Sequence, residues 1–360
     1  MFKLLRSIIA FCTMLALSLL CFGVTIAQES ESQPITVDNA SSVAQIATLE
    51  GHEGAVNSVT FSPDGTLLAT GGDDGIVRVW NLETGEEPVL FEGNTGPVNA
   101  LAFSPDGTLL ASGGDMPNIQ LLIWNVETGE EMARFEHPDV GLIVDFINNG
   151  RPVKIFDVEF RPDGSLVFAV GALQAFIIWN VDSNQFSAQE EWAMGAPTVL
   201  SISYSADGTF VATGRSDGLL LTPLDEEGNM IGDEPIQLNC HDDTVSTVAF
   251  SPDTAMLASG SFDDTICLWN IDAENTENVA VLEGHTNVVT GVAFNSDGTL
   301  LVSGSLDGTL RLWDVATQEE LASLSAAEDV EIYTVAFSPD GTLIASAGSD
   351  GIVTLWGIEE

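Results

Sequence analysis

Residues 285–314 read HTNVVTGVAFNSDGTLLVSGSLDGTLRLWD, and this stretch contains every element of a unit that the chain repeats. Short runs of β-forming residues alternate with turns rich in Gly and Asp, which is typical of antiparallel strands. In the turn at Asp297 and Gly298, the Asp side chain can bond its own backbone and the Gly accepts a positive φ, so the turn closes a hairpin. The unit is therefore predicted to be a small antiparallel sheet.

The aromatic residue before this turn recurs seven times along the chain. The copies begin at Phe61, Phe103, Phe160, Tyr204, Phe250, Phe294 and Phe337. A tryptophan follows at one constant spacing in five copies and slightly further along in the second, and Pro223 takes its place in the fourth. Such constant spacing indicates a rigid unit, and repeats of roughly 40–45 residues with four strands each are typical of propeller blades.

These motifs resemble the WD-repeat (β-transducin-like) family, and the resemblance covers about Leu49 to Trp356. It implies an all-β fold, a single seven-bladed β-propeller with four-stranded antiparallel blades. The last copy stops one strand short, whereas residues 43–50 precede the first complete copy and match the segments that follow each tryptophan. We therefore predict that the N-terminal strand completes the last blade, which closes a monomeric ring without a free edge. The propeller domain spans residues 43–360.

Three copies contain His, Ser or Thr, Asp and Trp at fixed offsets. The sets are His52, Thr70, Asp74 and Trp80; His241, Ser259, Asp263 and Trp269; and His285, Ser303, Asp307 and Trp313. A catalytic triad is needed once, at an open cleft, whereas this set occurs three times with a Trp attached. It resembles the family's buried hydrogen-bond tetrad, so we predict a structural role and no catalytic residue.

Residues 1–42 differ in composition from the repeats. Residues 1–27 are predicted to be a signal peptide, because Lys3 and Arg6 precede an apolar run and small residues end at Ala27. An uncleaved N-terminal membrane anchor is the alternative, since the apolar run approaches the ~18 residues that span a bilayer. Residues 28–42 are expected to form a flexible polar leader. The chain is thus predicted to be exported to the periplasm, the cell surface or the medium.

The signal peptide would take two of the four cysteines with it. Cys240 and Cys267 remain in the propeller domain. In an oxidising compartment they could form a disulfide, and two buried free thiols are an equal alternative.

The chain has 54 acidic and 9 basic residues and a formal charge of −45. A surface of this charge repels polyanions, which excludes nucleic acid and anionic membrane surfaces as partners. No Cys/His cluster has the spacing of metal ligands, and no phosphate-binding loop is present, so no cofactor is predicted. Acidic turns such as Asp73-Asp74, Asp242-Asp243 and Asp263-Asp264 could bind Ca²⁺ weakly, although such turns are more often simply solvated.

The interval between copies two and three is the largest irregularity. It runs from Trp124 to Phe160, is much longer than the corresponding intervals elsewhere, and is apolar and nearly neutral. Long loops in compact domains are usually functional or disordered, so this insertion is a candidate partner site, with packing over an edge of blade three as the alternative. The candidate residues are Leu142, Ile143, Val144, Phe146, Ile147, Arg151 and Lys154.

Two apolar residues stand just before the hairpin Asp of their copies. Phe262 and Leu306 have no local structural need there, and in the family this position often contacts partners. The leading hypothesis is therefore an exported, non-enzymatic WD-repeat scaffold that binds a protein or peptide. The alternative is a propeller hydrolase or lyase acting on an extracellular polymer, which convergent carboxylates or an exposed Ser–His pair at the channel mouth would favour.

Overall fold

The computed structural model describes residues 33–114, 120–136, 154–164, 166–170, 175–180, 185–190, 197–225, 228, 230–232, 234–271, 276–325 and 327–359. For residues 135–136 and the strands within 166–190, the description covers the backbone alone. In this part of the chain one short 3-10 helix, Ala40–Ser42, is followed by 28 β-strands. The prediction of an all-β protein is confirmed.

The strands of the described residues form seven four-stranded sheets, each antiparallel throughout. We number the blades by their inner strands in chain order. Blade one comprises β2 (Val56–Phe61), β3 (Leu67–Gly72), β4 (Ile76–Asn81) and β5 (Val89–Glu92). Blade two comprises β6 (Val98–Phe103), β7 (Leu109–Gly114), β8 (Gln120–Asn125) and β9 (Glu131–Glu136). Blade three comprises β10 (Ile155–Phe160), β11 (Leu166–Val170), β12 (Ala175–Asn180) and β13 (Gln185–Glu190).

The remaining blades repeat this order. Blade four comprises β14 (Val199–Tyr204), β15 (Phe210–Arg215), β16 (Gly218–Pro223) and β17 (Ile236–Leu238). Blade five comprises β18 (Val245–Phe250), β19 (Met256–Ser261), β20 (Ile266–Asn270) and β21 (Glu277–Leu282). Blade six comprises β22 (Val289–Phe294), β23 (Leu300–Ser305), β24 (Thr309–Asp314) and β25 (Glu320–Ser325). Blade seven comprises β26 (Ile332–Phe337), β27 (Ile344–Gly348), β28 (Val353–Ile358) and β1 (Val43–Leu49).

The N-terminal strand closes the ring. β1 pairs antiparallel with β28, with Val43 opposite Ile358 and Leu49 opposite Val353. The inner strands also contact one another in a circle, in which β26 touches β2 and each inner strand touches the next. Blade seven is thereby built from both ends of the domain, as the sequence predicted.

Apolar side chains fill the space between neighbouring blades. One cluster joins Trp80 and Leu68 of blade one to Val353 and Ala345 of blade seven, and the other described seams have similar clusters. Because a blade is covered on both faces by its neighbours, nearly every residue of a middle strand is buried, including the serines of Leu300–Ser305. Hydrophobic burial therefore joins neighbouring blades at each of these seams.

Turns that contain an Asp, four of them with the sequence Pro-Asp-Gly, form one end of each blade. In blade one, Asp64 Oδ1 accepts hydrogen bonds from Ser62 Oγ at 2.6 Å and from the Thr66 N–H and hydroxyl at 3.0 and 2.9 Å. Gly65 has φ 75°, which a side chain would disfavour. The hydrogen bond from Ser62, followed by those from Thr66, lowers the pKa of Asp64. Asp64 therefore stabilises the turn through its hydrogen bonds, in addition to interacting with solvent.

The described part of the leader differs from its prediction. Ile35 and Ala40 are buried against blades six and seven, and the Ile35 N–H donates to the Gly341 carbonyl at 2.8 Å. Residues 33–42 thus pack on the ring through these two apolar side chains, which cover the end of the closing seam. The predicted signal peptide lies outside the described residues.

Candidate functional site

The His–Ser–Asp–Trp set of blade six is a chain of hydrogen bonds between strands and loops. His285 Nδ1 lies 3.0 Å from Asp307 Oδ2, and its Nε2 lies 2.7 Å from Ser303 Oγ. The Trp313 indole N–H donates to the same hydroxyl at 2.9 Å. His285 lies in the connection before β22, Ser303 on β23 and Trp313 on β24, so the set ties three parts of the blade together.

The other two complete sets have the same geometry. His52 Nε2 lies 2.7 Å from Thr70 Oγ1, and His241 Nε2 lies 2.9 Å from Ser259 Oγ. The indole N–H groups donate to these hydroxyls at 3.0 and 3.2 Å, from Trp80 and Trp269 respectively. The His Nδ1 atoms lie within 3.2 Å of Asp74 and Asp263.

Burial of these side chains prevents substrate access. The Ser303 hydroxyl is fully buried and the His285 side chain is 1% exposed. Burial lowers the pKa of His285 despite its hydrogen bond to Asp307, which favours the neutral imidazole. Burial also opposes ionisation of Asp307, but hydrogen bonds from Thr309, the Thr286 N–H and His285 hold its pKa at about 2. The set therefore stabilises a fixed carboxylate and a neutral ring, with no route to a nucleophile.

The incomplete copies keep part of this network. The Trp124 indole donates to Ser112 Oγ at 2.9 Å, and Asn94 replaces the His at 3.3 Å from the same hydroxyl. The Trp356 indole donates to Ser346 Oγ at 2.8 Å. In blade four, Asp217 binds the Arg215 guanidinium and is exposed to solvent. The hydrogen bond between Trp and hydroxyl is thus the most persistent part of the set.

In three blades, a further contact lies next to the His–Asp pair. It joins the residue directly before the His to the residue two positions before the Trp. In blade one, Arg78 Nη2 donates to the Gly51 carbonyl at 2.7 Å, and Nη1 donates to Asp74 at 2.7 Å. In blade five the corresponding residues, Cys240 and Cys267, form a disulfide.

Blade six has Gly284 and Arg311 at these positions, and a side chain on Gly284 would collide with the Arg311 guanidinium. The separation along the sequence is the same in all three pairs. The disulfide therefore takes the place of a Gly–Arg contact.

A cavity of about 360 Å³ occupies the centre of the ring and is lined by all seven inner strands. Small side chains dominate its wall, but blade three contributes Asp157 and Glu159 where blade one has Ser58 and Thr60. Comparing Phe156–Phe160 with Asn57–Phe61 would have identified these carboxylates from the sequence. They are functional candidates that the sequence analysis missed.

Both carboxylates bond the neighbouring blade. Asp157 Oδ2 accepts from the Ser201 hydroxyl and the Ile202 N–H, both at 2.9 Å, and Glu159 Oε2 accepts from the Tyr204 N–H at 2.8 Å. Desolvation raises the pKa of Asp157 to about 6. It also raises the pKa of Glu159 well above its usual value, together with the charge of Asp157.

Ser58 makes the same kind of bond, since its hydroxyl accepts from the Leu101 N–H at 3.1 Å. The two acids therefore lie on one strand and join the seam between blades three and four, instead of converging from opposite walls of the channel. This arrangement does not favour the hydrolase alternative.

Phe262 and Leu306 lie on the end of the ring opposite the Pro-Asp-Gly turns, which we call the hairpin face. The Phe262 side chain is 46% exposed, and Leu306 is half-buried. Each precedes the Asp of a complete set, so its backbone is fixed by the hydrogen bonds below it. The half-buried Val288 and Val330 lie on the same face and were not predicted.

Of the residues predicted in the insertion, only Lys154 is described by the structure. Its ammonium lies 4.6 Å from the centroid of the Phe156 ring, and Phe156 lines the central cavity. Lys154 directly precedes β10, on the hairpin face. Leu142, Ile143, Val144, Phe146, Ile147 and Arg151 lie outside the described residues, so their role stays a prediction.

Metal binding has no support in the described part of the chain, where no group of three or more His, Cys, Asp or Glu side chains is arranged to hold an ion. Two of the acidic pairs proposed for Ca²⁺ include Asp74 and Asp263, which are bonded to His52 and His241. Among these same residues, no helix is long and apolar enough to span a membrane.

Comparison with known families gives the class of protein. The family model "WD domain, G-beta repeat" matches residues 44–81, 85–116, 193–221, 232–270, 276–314 and 318–357, more than half of the chain. The chain therefore belongs to the WD-repeat family. The model matches six stretches, and all four strands of blade three lie outside them.

Individual relatives are similar over short stretches. The chain is 58% identical to the ribosome biogenesis protein ERB1 of Chaetomium thermophilum over 43 residues, 12% of this chain and 5% of that protein. It is 54% identical to the small ribosomal subunit protein RACK1 of Medicago sativa over 39 residues, 11% of this chain and 12% of that protein.

A longer match is to eukaryotic translation initiation factor 3 subunit I of Aspergillus oryzae. It is 26% identical over 251 residues, 66% of this chain and 55% of that protein. The chain thus covers between one twentieth and about half of the length of these relatives.

Proposed function

We propose that the protein is an exported, non-enzymatic scaffold that binds a protein or peptide partner on its hairpin face. The observation that carries this proposal is Phe262, an aromatic side chain left 46% exposed on a hairpin that the His241–Asp263 pair holds in place. Exposed aromatic residues on a rigid surface are favourable anchors for protein partners, because little entropy is lost when they are covered.

The chemistry of the described side chains agrees with a binding role. Within each of the three sets, the Ser or Thr, His and Asp side chains are linked by hydrogen bonds. The channel carboxylates accept hydrogen bonds across the seam between blades three and four. The relatives are named as a ribosome biogenesis protein, a ribosomal subunit protein and an initiation-factor subunit. Those names support a scaffold role. The partner has to be inferred from the surface of this protein.

Export is supported by the Cys240–Cys267 disulfide. Disulfides persist in oxidising compartments and are rare in the cytosol of most organisms. The apolar segment that ends near Ala27 is the predicted signal. N-terminal sequencing of protein recovered outside the cytoplasm should begin at Gln28, whereas an intact Met1 start would support the anchored alternative.

The binding role is tested by cross-linking the tagged protein in its own cells and identifying what it captures. Phe262→Ser should lose a defined partner, whereas Val89→Ser should keep it, because Val89 is 57% exposed at the start of β5 in blade one, at the end of the ring opposite the hairpin face. Both variants should retain the melting temperature of the unmodified protein. Identical capture by Phe262→Ser and the unmodified protein would contradict the proposed site.

A further inference from the structure

We propose that the hairpin face of blades five to seven binds a cationic, amphipathic segment of the partner. The proposed contact surface is an apolar stripe made of Phe262, Val288, Leu306 and Val330, with acidic residues on both sides. This inference rests on the proposed scaffold function and adds the chemistry of the partner.

Backbone contacts place the members of the stripe beside one another. Gly260, two residues before Phe262, is packed against the Val289 side chain, so the blade-five hairpin adjoins the start of β22. The Leu306 N–H donates to the Val288 carbonyl at 3.0 Å, which puts the blade-six hairpin on the other side of Val288. Gly308 lies against the Val330 carbonyl. The four residues of the stripe therefore lie on neighbouring segments that follow one another from blade five to the start of blade seven.

The hairpins that carry the stripe are held in place before any partner binds. The Asp263 and Asp307 N–H groups donate to Ser261 Oγ and Ser305 Oγ at 3.1 and 3.0 Å. Ser305 Oγ in turn donates to the Asn287 carbonyl at 2.9 Å. Both serines are fully buried. Such a surface does not have to be ordered when the partner binds, which favours affinity.

The charge around the stripe has one sign. Residues 241–360 contain 21 acidic residues and one basic residue, Arg311. Arg311 is half-buried and bonded to Glu320. The exposed acids beside the stripe are Asp242, Asp243, Glu328, Asp329 and Glu331.

This pattern selects the partner by its charge and its apolar content. Surface carboxylates of one sign attract Lys and Arg side chains from a distance and repel acidic segments. Each exposed ion pair adds little by itself, so affinity needs an apolar side chain covering Phe262 and Leu306. A segment that alternates cationic and apolar residues satisfies both requirements, whereas a polyanion satisfies neither.

The test uses the purified full-length protein and three fluorescent peptides of about 15 residues, a length at which an isolated helix can begin to form. The first peptide is an amphipathic sequence of Lys and Leu, with Leu on one face of a helix and Lys on the other. The second peptide has Glu in place of Lys, and the third has Ser in place of Leu. Fluorescence anisotropy should show binding of the first peptide only, and this binding should weaken as NaCl is raised from about 50 to about 300 mM. Phe262→Ser and Asp242→Lys/Glu328→Lys should each weaken it by about tenfold or more.

Matched variants separate the stripe from the general acidity of the protein. Val89→Ser removes a similarly exposed apolar residue, and Glu86→Lys/Glu87→Lys makes the same charge change; all three residues lie in blade one, at the end of the ring opposite the hairpin face. Both should change the affinity by less than about twofold.

Equal binding by all variants, or equal binding of the Ser-containing peptide, would overturn the inference. If cellular capture depends on Phe262 but not on Asp242 and Glu328, the scaffold function stands and the cationic partner does not.

Discussion

Single substitutions at repeated positions give each blade its own chemistry. Position 58 of blade one is a Ser that accepts a hydrogen bond from the next blade, and in blade three Asp157 does the same as a buried carboxylate. A Ser makes this bond without a charge, whereas the Asp must be desolvated. Its raised pKa, about 6, reports that cost.

We expect Asp157 to make stability fall as the pH rises. Its pKa is 3.8 when unfolded and about 6 when folded, so folding takes up a proton between these values. The stabilisation of the protonated form is therefore lost as the pH rises through about 6, by about 3 kcal/mol for this shift. Urea unfolding between pH 4 and pH 8 should show that Asp157→Asn flattens this decline, and Glu86→Gln should leave it unchanged. A parallel pH profile for Asp157→Asn and the unmodified protein would contradict the expectation.

Among the strands and loops, a loop bonded to the third strand of the same blade locks blades one and five. Arg78 makes this lock in blade one with hydrogen bonds, and the Cys240–Cys267 disulfide makes it covalently in blade five. The disulfide also lies in the core cluster between blades four and five. Blade four, on the other side of this cluster, has Pro223 in place of the Trp.

Reduction of this disulfide should lower the stability of the protein. Closing a loop of this length is worth about 2–4 kcal/mol, so reductant should lower the urea midpoint of the unmodified protein. Cys240→Ser/Cys267→Ser should show the lower midpoint with or without reductant. Cys240→Gly/Cys267→Arg, which copies the Gly51–Arg78 pair, should recover part of the loss and be insensitive to reductant. If reductant leaves the urea midpoint of the unmodified protein unchanged, the stabilising role of the disulfide is refuted.

At the scale of the whole molecule, a closed apolar ring carries a large negative charge. The inner strands contact one another around the full circle, and the acids lie mainly in turns at both ends of the blades. The turn acids stabilise their hairpins through hydrogen bonds, as Asp64 does. Their mutual repulsion nevertheless acts against the compact state.

Salt should therefore stabilise the protein. With a formal charge of −45, screening within a Debye length of about 10 Å at 0.1 M relieves repulsion between neighbouring turns. The melting temperature should rise by at least about 2 °C between low and moderate NaCl, which corresponds to roughly 1 kcal/mol. The rise should shrink near pH 4.1, the isoelectric point. A melting temperature that falls with NaCl at neutral pH would contradict this.

Local patterns were sufficient to predict the strands, the turns and the closure of the ring. Each copy repeats the same period-two runs and turn residues, and the missing last strand could only be supplied by residues 43–49. Burial of Ile35 and Ala40 was not predictable in this way, since nothing within residues 28–42 shows which seam they cover. The hydrogen bonds of Asp157 could not be predicted either, because its partners Ser201 and Ile202 lie on the next blade, a whole repeat further along the sequence.

The repeats alone were enough to predict a WD-repeat propeller and the members of its three hydrogen-bond sets, because those residues act within one repeat of fixed length. The Cys240–Cys267 disulfide and the hydrogen bonds by which Asp157 and Glu159 join two blades became evident from the folded ring alone. These features depend on distances between segments remote in the chain, and such distances are set by the packing of the ring.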